Sequence, residues 1–138
     1  MGEVLDFCDR SDPHIVYLDV RESKFDTEVN KVGYRIPVEV TAGELERILE
    51  IQNRKDELYT TKVKLNSDEA VKLEREFCHA LYAQLEILFK HYDRTVTVDF
   101  LVDHVTKEQA VEIIEVFSTS QLKKKQQKLK AQKKPQTN

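Results

Sequence analysis

The side chains best suited to metal binding or nucleophilic chemistry are scattered along this chain. Cys78 precedes His79, and His91 lies two residues before Asp93, but positions one or two apart on a helix do not face each other. No CxxC pair is present, so both cysteines are expected to be ordinary reduced thiols. The other candidates are Cys8, His14 and His104. The spacing predicts no metal site.

Motifs that organise catalysis are absent from the sequence. Its three glycines form no phosphate-binding loop, and there is no HExxH, no GxSxG and no calcium-binding DxDxDG segment. The 25 acidic side chains have no spacing that singles out an acid–base pair, so they are expected to be solvated surface groups. We expect a protein that is not an enzyme, with no catalytic residue, no metal and no cofactor.

Length and composition favour one soluble domain. The 138 residues are 40% apolar and 34% charged, which excludes disorder throughout the chain. No run approaches the roughly 18 apolar residues of a membrane-spanning helix, and the first ten residues carry acids where a signal peptide would be basic and then apolar. We expect a cytoplasmic protein with no membrane partner.

Charge is distributed unevenly. Residues 123–138, here called the lysine-rich segment, hold seven of the 22 basic side chains and no acid. The remaining 122 residues have a net charge of −10, so the overall −3 conceals an acidic body. We expect this segment to be largely disordered or a frayed extension of the last helix, because it has few apolar groups to offset ordering entropy. Its lysines are Lys123, Lys124, Lys125, Lys128, Lys130, Lys133 and Lys134.

The apolar pattern predicts an α+β fold in a single domain over residues 1–122. Alternation in HIVYLDV and in YRIPVEV, at 34–40, predicts a small N-terminal antiparallel hairpin or sheet within about 14–40, with Pro37 at an edge. A mainly helical body of three to four helices follows. Its helices are predicted over about 41–57, 67–92, 98–104 and 107–122.

Capping residues support these helix starts. Thr41 with Glu44 and Thr106 with Gln109 form capping boxes, and Asn66 or Ser67 caps the longest helix. The core stripe of that helix is expected to contain Ala70, Leu73, Phe77, Leu81, Leu85, Leu88 and Tyr92.

The longest helix carries more apolar side chains than one contact stripe requires. It is therefore either central to the helical body or offers one side to a partner. Candidate partner-binding residues are Leu85, Leu88, Phe89, Tyr92 and, on the last helix, Phe117, although all five are equally explicable as core. A wide apolar face would also suit a homo-oligomer.

One segment, TVTVDFLVDHVTKEQAVEIIEVF at 95–117, follows the N-terminal strands and the acidic helical body and precedes the lysine-rich end. Taken together, these features of residues 15–120 resemble the tail assembly chaperones of long-tailed, siphovirus-type bacteriophages. In that family an apolar pair, an aspartate and a capped helix start often lie between the last two helices. The matching positions are Phe100, Leu101, Val102, Asp103, Val105, Thr106, Glu108 and Gln109.

The resemblance implies a chaperone of the host cell cytoplasm. It would bind the tape measure protein and keep it soluble until tail-tube polymerisation, with the major tail protein as a second candidate partner. The resemblance also implies a short product of programmed ribosomal frameshifting, with the lysine codons as the slippery string. The alternative is a small nucleic-acid-associated adaptor that uses the lysine-rich segment, although the absence of Arg and aromatic residues there makes nucleic acid an unfavoured partner.

Overall fold

A hairpin of two strands precedes four helices, which confirms the α+β expectation. The computed structural model describes residues 2–6, 12–21, 28, 30–60 and 66–132, and for 124–132 it describes the backbone only. The elements are β1 (His14–Asp19), β2 (Lys31–Ile36), α1 (Ala42–Thr60), α2 (Ser67–Lys90), α3 (Val98–His104) and α4 (Lys107–Gln132).

The hairpin is antiparallel, with His14 opposite Ile36 and Asp19 opposite Lys31. Leu18 and Ile36 turn into the core, while the alternate residues of β1 face outward. On the outer face the Tyr17 ring covers Gly33, where an added Cβ would lie 3.2 Å from Tyr17 Cε1. The hairpin therefore contributes one apolar face to the core.

The second strand differs from the expected 34–40. β2 spans Lys31–Ile36 and ends immediately before Pro37, which is buried. Proline has no N–H to donate to the ladder, so it ends the strand where the alternating pattern alone would have continued it.

The predicted capping boxes are present. The Thr41 N–H donates to Glu44 Oε1 at 2.9 Å, and the Glu44 N–H donates to Thr41 Oγ1 at 3.2 Å. Thr106 and Gln109 exchange the same pair of bonds at 3.0 and 3.2 Å. Asn66 accepts the Glu69 N–H at 2.9 Å at the start of α2. These bonds satisfy helix N–H groups that have no partner within the helix.

Helix α2 is the centre of the fold, because α1, α3, α4 and β2 all pack against it. Its C-terminal half is buried, whereas Ala70 is exposed and Leu73 and Phe77 are only half-buried. The expected core stripe was therefore wrong at its N-terminal end and at Tyr92, which is half-buried and lies beyond the end of α2. The fully enclosed side chains of the core include Leu81, Leu85, Leu88, Phe89 and Leu101.

Helix α4 continues ten residues beyond the expected end at 122, to Gln132. Residues 123–132, which were expected to be disordered or a frayed extension of the last helix, are helical. Gln, Lys, Leu and Ala favour the helix, and no glycine or proline interrupts the sequence before Pro135. Lys133 and Lys134 lie outside the described residues.

Candidate interaction groove

Four of the five candidate partner-binding side chains lie in the hydrophobic core. Leu85 and Leu88 are 0% exposed, Phe89 is 1% and Phe117 is 4%. Tyr92 is half-buried; the Arg35 guanidinium lies 4.9 Å from its ring centre. These four side chains are enclosed in the folded protein, so exposed side chains must provide most of any docking surface.

Exposed leucines on α1 and α4 provide such a surface. Leu49 is 53% exposed, Leu45 is 38% and Leu122 is 60%. The spacing of Leu45, Ile48 and Leu49, three and four residues apart, puts them on one apolar face of α1, and only Ile48 is buried. The signal for these exposed residues was therefore present in the sequence, although it could not separate core from surface.

These leucines border a groove between α1 and α4, here called the interaction groove. Both helices pack against α2, and the space between them has a volume of about 320 Å³. Leu88 and Gln84 of α2 contribute to its lining, along with Ile48 of α1 and Phe117 of α4. Leucine side chains at its border and a mostly apolar lining make it suited to apolar side chains from a partner.

A buried polar network fixes α1 against α2 beside this groove. Gln84 Nε2 donates to the Ile48 carbonyl at 3.2 Å and to Gln52 Oε1 at 3.1 Å. Gln84 Oε1 accepts from Lys55 Nζ at 2.9 Å. Lys55 is only 8% exposed, and burial lowers the pKa of its amino group. The network holds one wall of the groove in place.

Helix α4 forms the opposite wall and is tied to β1 and to the segment that follows β2. His14 Nε2 lies 2.7 Å from the Ser120 hydroxyl, and the Gln121 side-chain amide donates to the Val38 carbonyl. The buried side chains of Ala110, Ile113 and Phe117 belong to the core of the fold. Both walls of the groove are therefore supported independently of any partner.

The candidate ligands of a metal are dispersed in the fold. Across residues 2–6, 12–21, 28, 30–60 and 66–132, no three His, Cys, Asp or Glu side chains are grouped so that they could hold a metal ion. His91 pairs with Glu44 at 2.9 Å, and His104 lies 2.8 Å from the Phe100 carbonyl. Cys78 is a free, half-buried thiol, and Cys8 lies outside the described residues.

The described helices include none with the length and apolar character needed to cross a membrane. Lys123 is exposed; the side chains of the other six lysines of the lysine-rich segment lie outside the description.

Comparison with protein-family models, with curated protein sequences and with solved structures finds no match.

Proposed function

We propose that this chain is a tail assembly chaperone that binds the tape measure protein through the interaction groove. In this proposal the protein acts without catalysis in the host cell cytoplasm, and tail-tube subunits such as the major tail protein displace it from the tape measure protein. The observation that carries it is the apolar groove between α1 and α4, with Leu45, Leu49 and Leu122 exposed at its border.

An amphipathic helix is the partner segment that suits this groove. Such helices present apolar residues at spacings of three and four, and they dock in grooves between two packed helices. The exposed leucines give a small contact, which favours binding that is weak and reversible at each site. A long helical partner offers many such segments, so many copies of a small chaperone could cover it.

The acidic body supports the same role. Outside the lysine-rich segment the chain has a net charge of −10. A tape measure protein covered with many copies would therefore be strongly negative, and such complexes would repel one another in solution. The groove supplies attraction over a short range, while the charge opposes aggregation over a longer one. The proposal combines these two properties in one small protein.

The test is co-expression with the tape measure protein, with the soluble fraction of that protein as the readout. We expect Leu49→Lys and Leu122→Lys each to reduce co-purification and solubility strongly, because each places a charge at the apolar border of the groove. Val71→Lys is the matched control, since Val71 is 57% exposed on α2 and does not line the groove. The substituted residues are exposed, so the variants should fold.

The proposal fails if the wild-type protein leaves the tape measure protein insoluble, or if Val71→Lys is as harmful as the groove variants. Circular dichroism melting of each variant separates a lost contact from a lost fold. The frameshift hypothesis has its own test in the nucleotide sequence: a slippery heptamer near the lysine codons and an overlapping downstream frame.

A further inference from the structure

A second cleft lies where the start of α1 meets the end of α2. It has a volume of about 600 Å³ and shares no lining residue with the interaction groove. Three cationic side chains, Arg47, Lys90 and Arg94, line it together with the carboxylates of Glu44 and Glu86. Arg47 comes from α1, Lys90 from the end of α2, and Arg94 from the turn that follows. The fold therefore brings together cations that are far apart in the sequence.

The two carboxylates are already engaged within the protein. Glu44 accepts the Thr41 N–H at 2.9 Å and pairs with His91 at 2.9 Å. Glu86 Oε2 accepts the Val98 N–H at 2.7 Å, and its other oxygen lies 3.5 Å from Lys90 Nζ. Each carboxylate is thus held by a backbone N–H as well as by a side chain, and within the described residues neither forms an ion pair with Arg47 or Arg94.

The two arginines lack such partners. Both side chains are exposed, and neither forms a hydrogen bond or an ion pair within the part of the chain that the structure describes. Thr41 Oγ1 accepts the Glu44 N–H, which leaves the hydroxyl hydrogen able to donate. Two guanidinium groups, an ammonium group and a hydroxyl are therefore available as donors in one cleft.

The local charge is opposite to that of the surrounding body. With His91 neutral, the charged groups that line the cleft sum to +1, whereas the chain outside the lysine-rich segment has a net charge of −10. A cationic cleft on an acidic body attracts small anions and concentrates them locally. Arginine is the side chain best matched to phosphoryl oxygens, because its planar group donates two parallel hydrogen bonds.

We infer that this cleft binds the phosphoryl group of a small phosphorylated molecule. Arg47 and Arg94 donate to the phosphoryl oxygens, and Thr41 adds a hydroxyl donor. Lys90 contributes charge, since its contact with Glu86 is long enough to be exchanged for a ligand oxygen. The half-buried side chain of Ile87 provides an apolar wall for the rest of the ligand. This site is separate from the proposed chaperone function and does not depend on it.

The experiment is an amide NMR titration of the full chain with inorganic phosphate and with pyrophosphate. We expect saturable shifts at Thr41, Arg47 and Arg94, with pyrophosphate binding more tightly because it carries more charge and more acceptor oxygens. Arg47→Ala and Arg94→Ala should each weaken binding about tenfold, the loss of roughly one charge-assisted interaction. Arg75→Ala is the control, because Arg75 is exposed and lies in the first half of α2, whereas the cleft lies at the end of that helix. This variant should leave the affinity unchanged.

Three results would overturn the inference. The first is the absence of shifts in the cleft at millimolar pyrophosphate. The second is a set of shifts confined to residues 123–138, which would assign the binding to the lysine-rich segment. The third is equal binding of acetate, or an equal loss in Arg75→Ala, which would show attraction of any anion to any cation. Unchanged thermal melting of the two arginine variants confirms that the fold is intact.

Discussion

Lys55 is a buried cation, and its hydrogen-bond partners are side-chain amides. Its ammonium donates to Gln84 at 2.9 Å and lies 5.4 Å from the ring centre of Phe77. Burying a charge costs free energy unless hydrogen bonds compensate for it. The contribution of Gln84 to stability is therefore linked to the presence of Lys55.

A double-mutant cycle measures this link. We expect Gln84→Leu alone to lower the free energy of unfolding by about 2–4 kcal/mol, because it leaves a buried ammonium without its main acceptor. The double variant Lys55→Met/Gln84→Leu should be more stable than Gln84→Leu, since both polar partners are then removed. Urea denaturation gives the values. A double variant that is less stable than Gln84→Leu would contradict the expectation.

Glu44 gives the protein an acid-sensitive contact. Burial raises the pKa of its carboxyl group, but the Thr41 N–H and His91 outweigh burial and hold the pKa below the ordinary value of 4.5. A carboxyl group whose pKa is lowered by folding stabilises the protein fully above its unfolded pKa, and that stability is lost as the pH falls through the folded pKa. The effect belongs to the region below about pH 4.5.

We expect Glu44→Gln to lower the free energy of unfolding near neutral pH and to flatten its decline in acid. Glu46→Gln, an exposed change two positions further along α1, should leave both unchanged. Urea melts between about pH 3 and pH 7 supply the comparison. The account of Glu44 is wrong if both variants show the acid dependence of the wild type.

At the scale of elements, α2 divides into a buried half and an exposed half. Leu85 is 0% exposed in the buried half, and Val71 is 57% exposed in the other. We expect Leu85→Ala to cost about 2–5 kcal/mol of unfolding free energy through lost burial and the cavity that remains. Val71→Ala should change it by less than about 0.5 kcal/mol. Denaturant melts test the pair, and similar costs at both positions would contradict the division.

The sequence predicted the features of helices that depend on residues close together in the chain, such as capped starts. The capping boxes at Thr41 and Thr106 were found because both partners lie within one turn, and the 98–104 helix has the expected bounds. Apolar periodicity identifies which face of a helix is apolar. It does not show how much of that face is covered by another helix or strand. Leu88 lies on α2, against which four elements pack, whereas Leu49 lies on α1 at the border of the groove, and no local pattern contains that information.

The cleft with Arg47 and Arg94 had no sequence signal for a related reason. Its cations come from two helices and a turn, and each looks like an ordinary surface charge when read alone. The candidate partner residues on α2 differ from the cleft, because they had a clear sequence signal. Their pattern was clear, but it fits core packing as well as a docking face, and the fold places Leu85, Leu88 and Phe89 in the core.

At the scale of the whole molecule, the positive charge of the lysine-rich segment provides a test between the chaperone and the nucleic-acid adaptor. Replacing all seven lysines of the lysine-rich segment with glutamine keeps good helix formers and removes its charge. We expect this variant to solubilise the tape measure protein as the wild type does. For a nucleic-acid adaptor, seven phosphate contacts would instead give a slope of about −5 for log affinity against log salt with a single strand. Oligonucleotide titrations at several salt concentrations decide between them.

The uneven burial of α2 also bears on how the folded protein fluctuates. The amides of residues 70–76 lie where few apolar contacts hold the helix, while those near Leu85 lie at the centre of the molecule. Hydrogen–deuterium exchange should therefore be fast in the first turns of α2, through local fraying, and slow near Leu85, where exchange requires global unfolding. One continuous helix would then behave as two units that open independently.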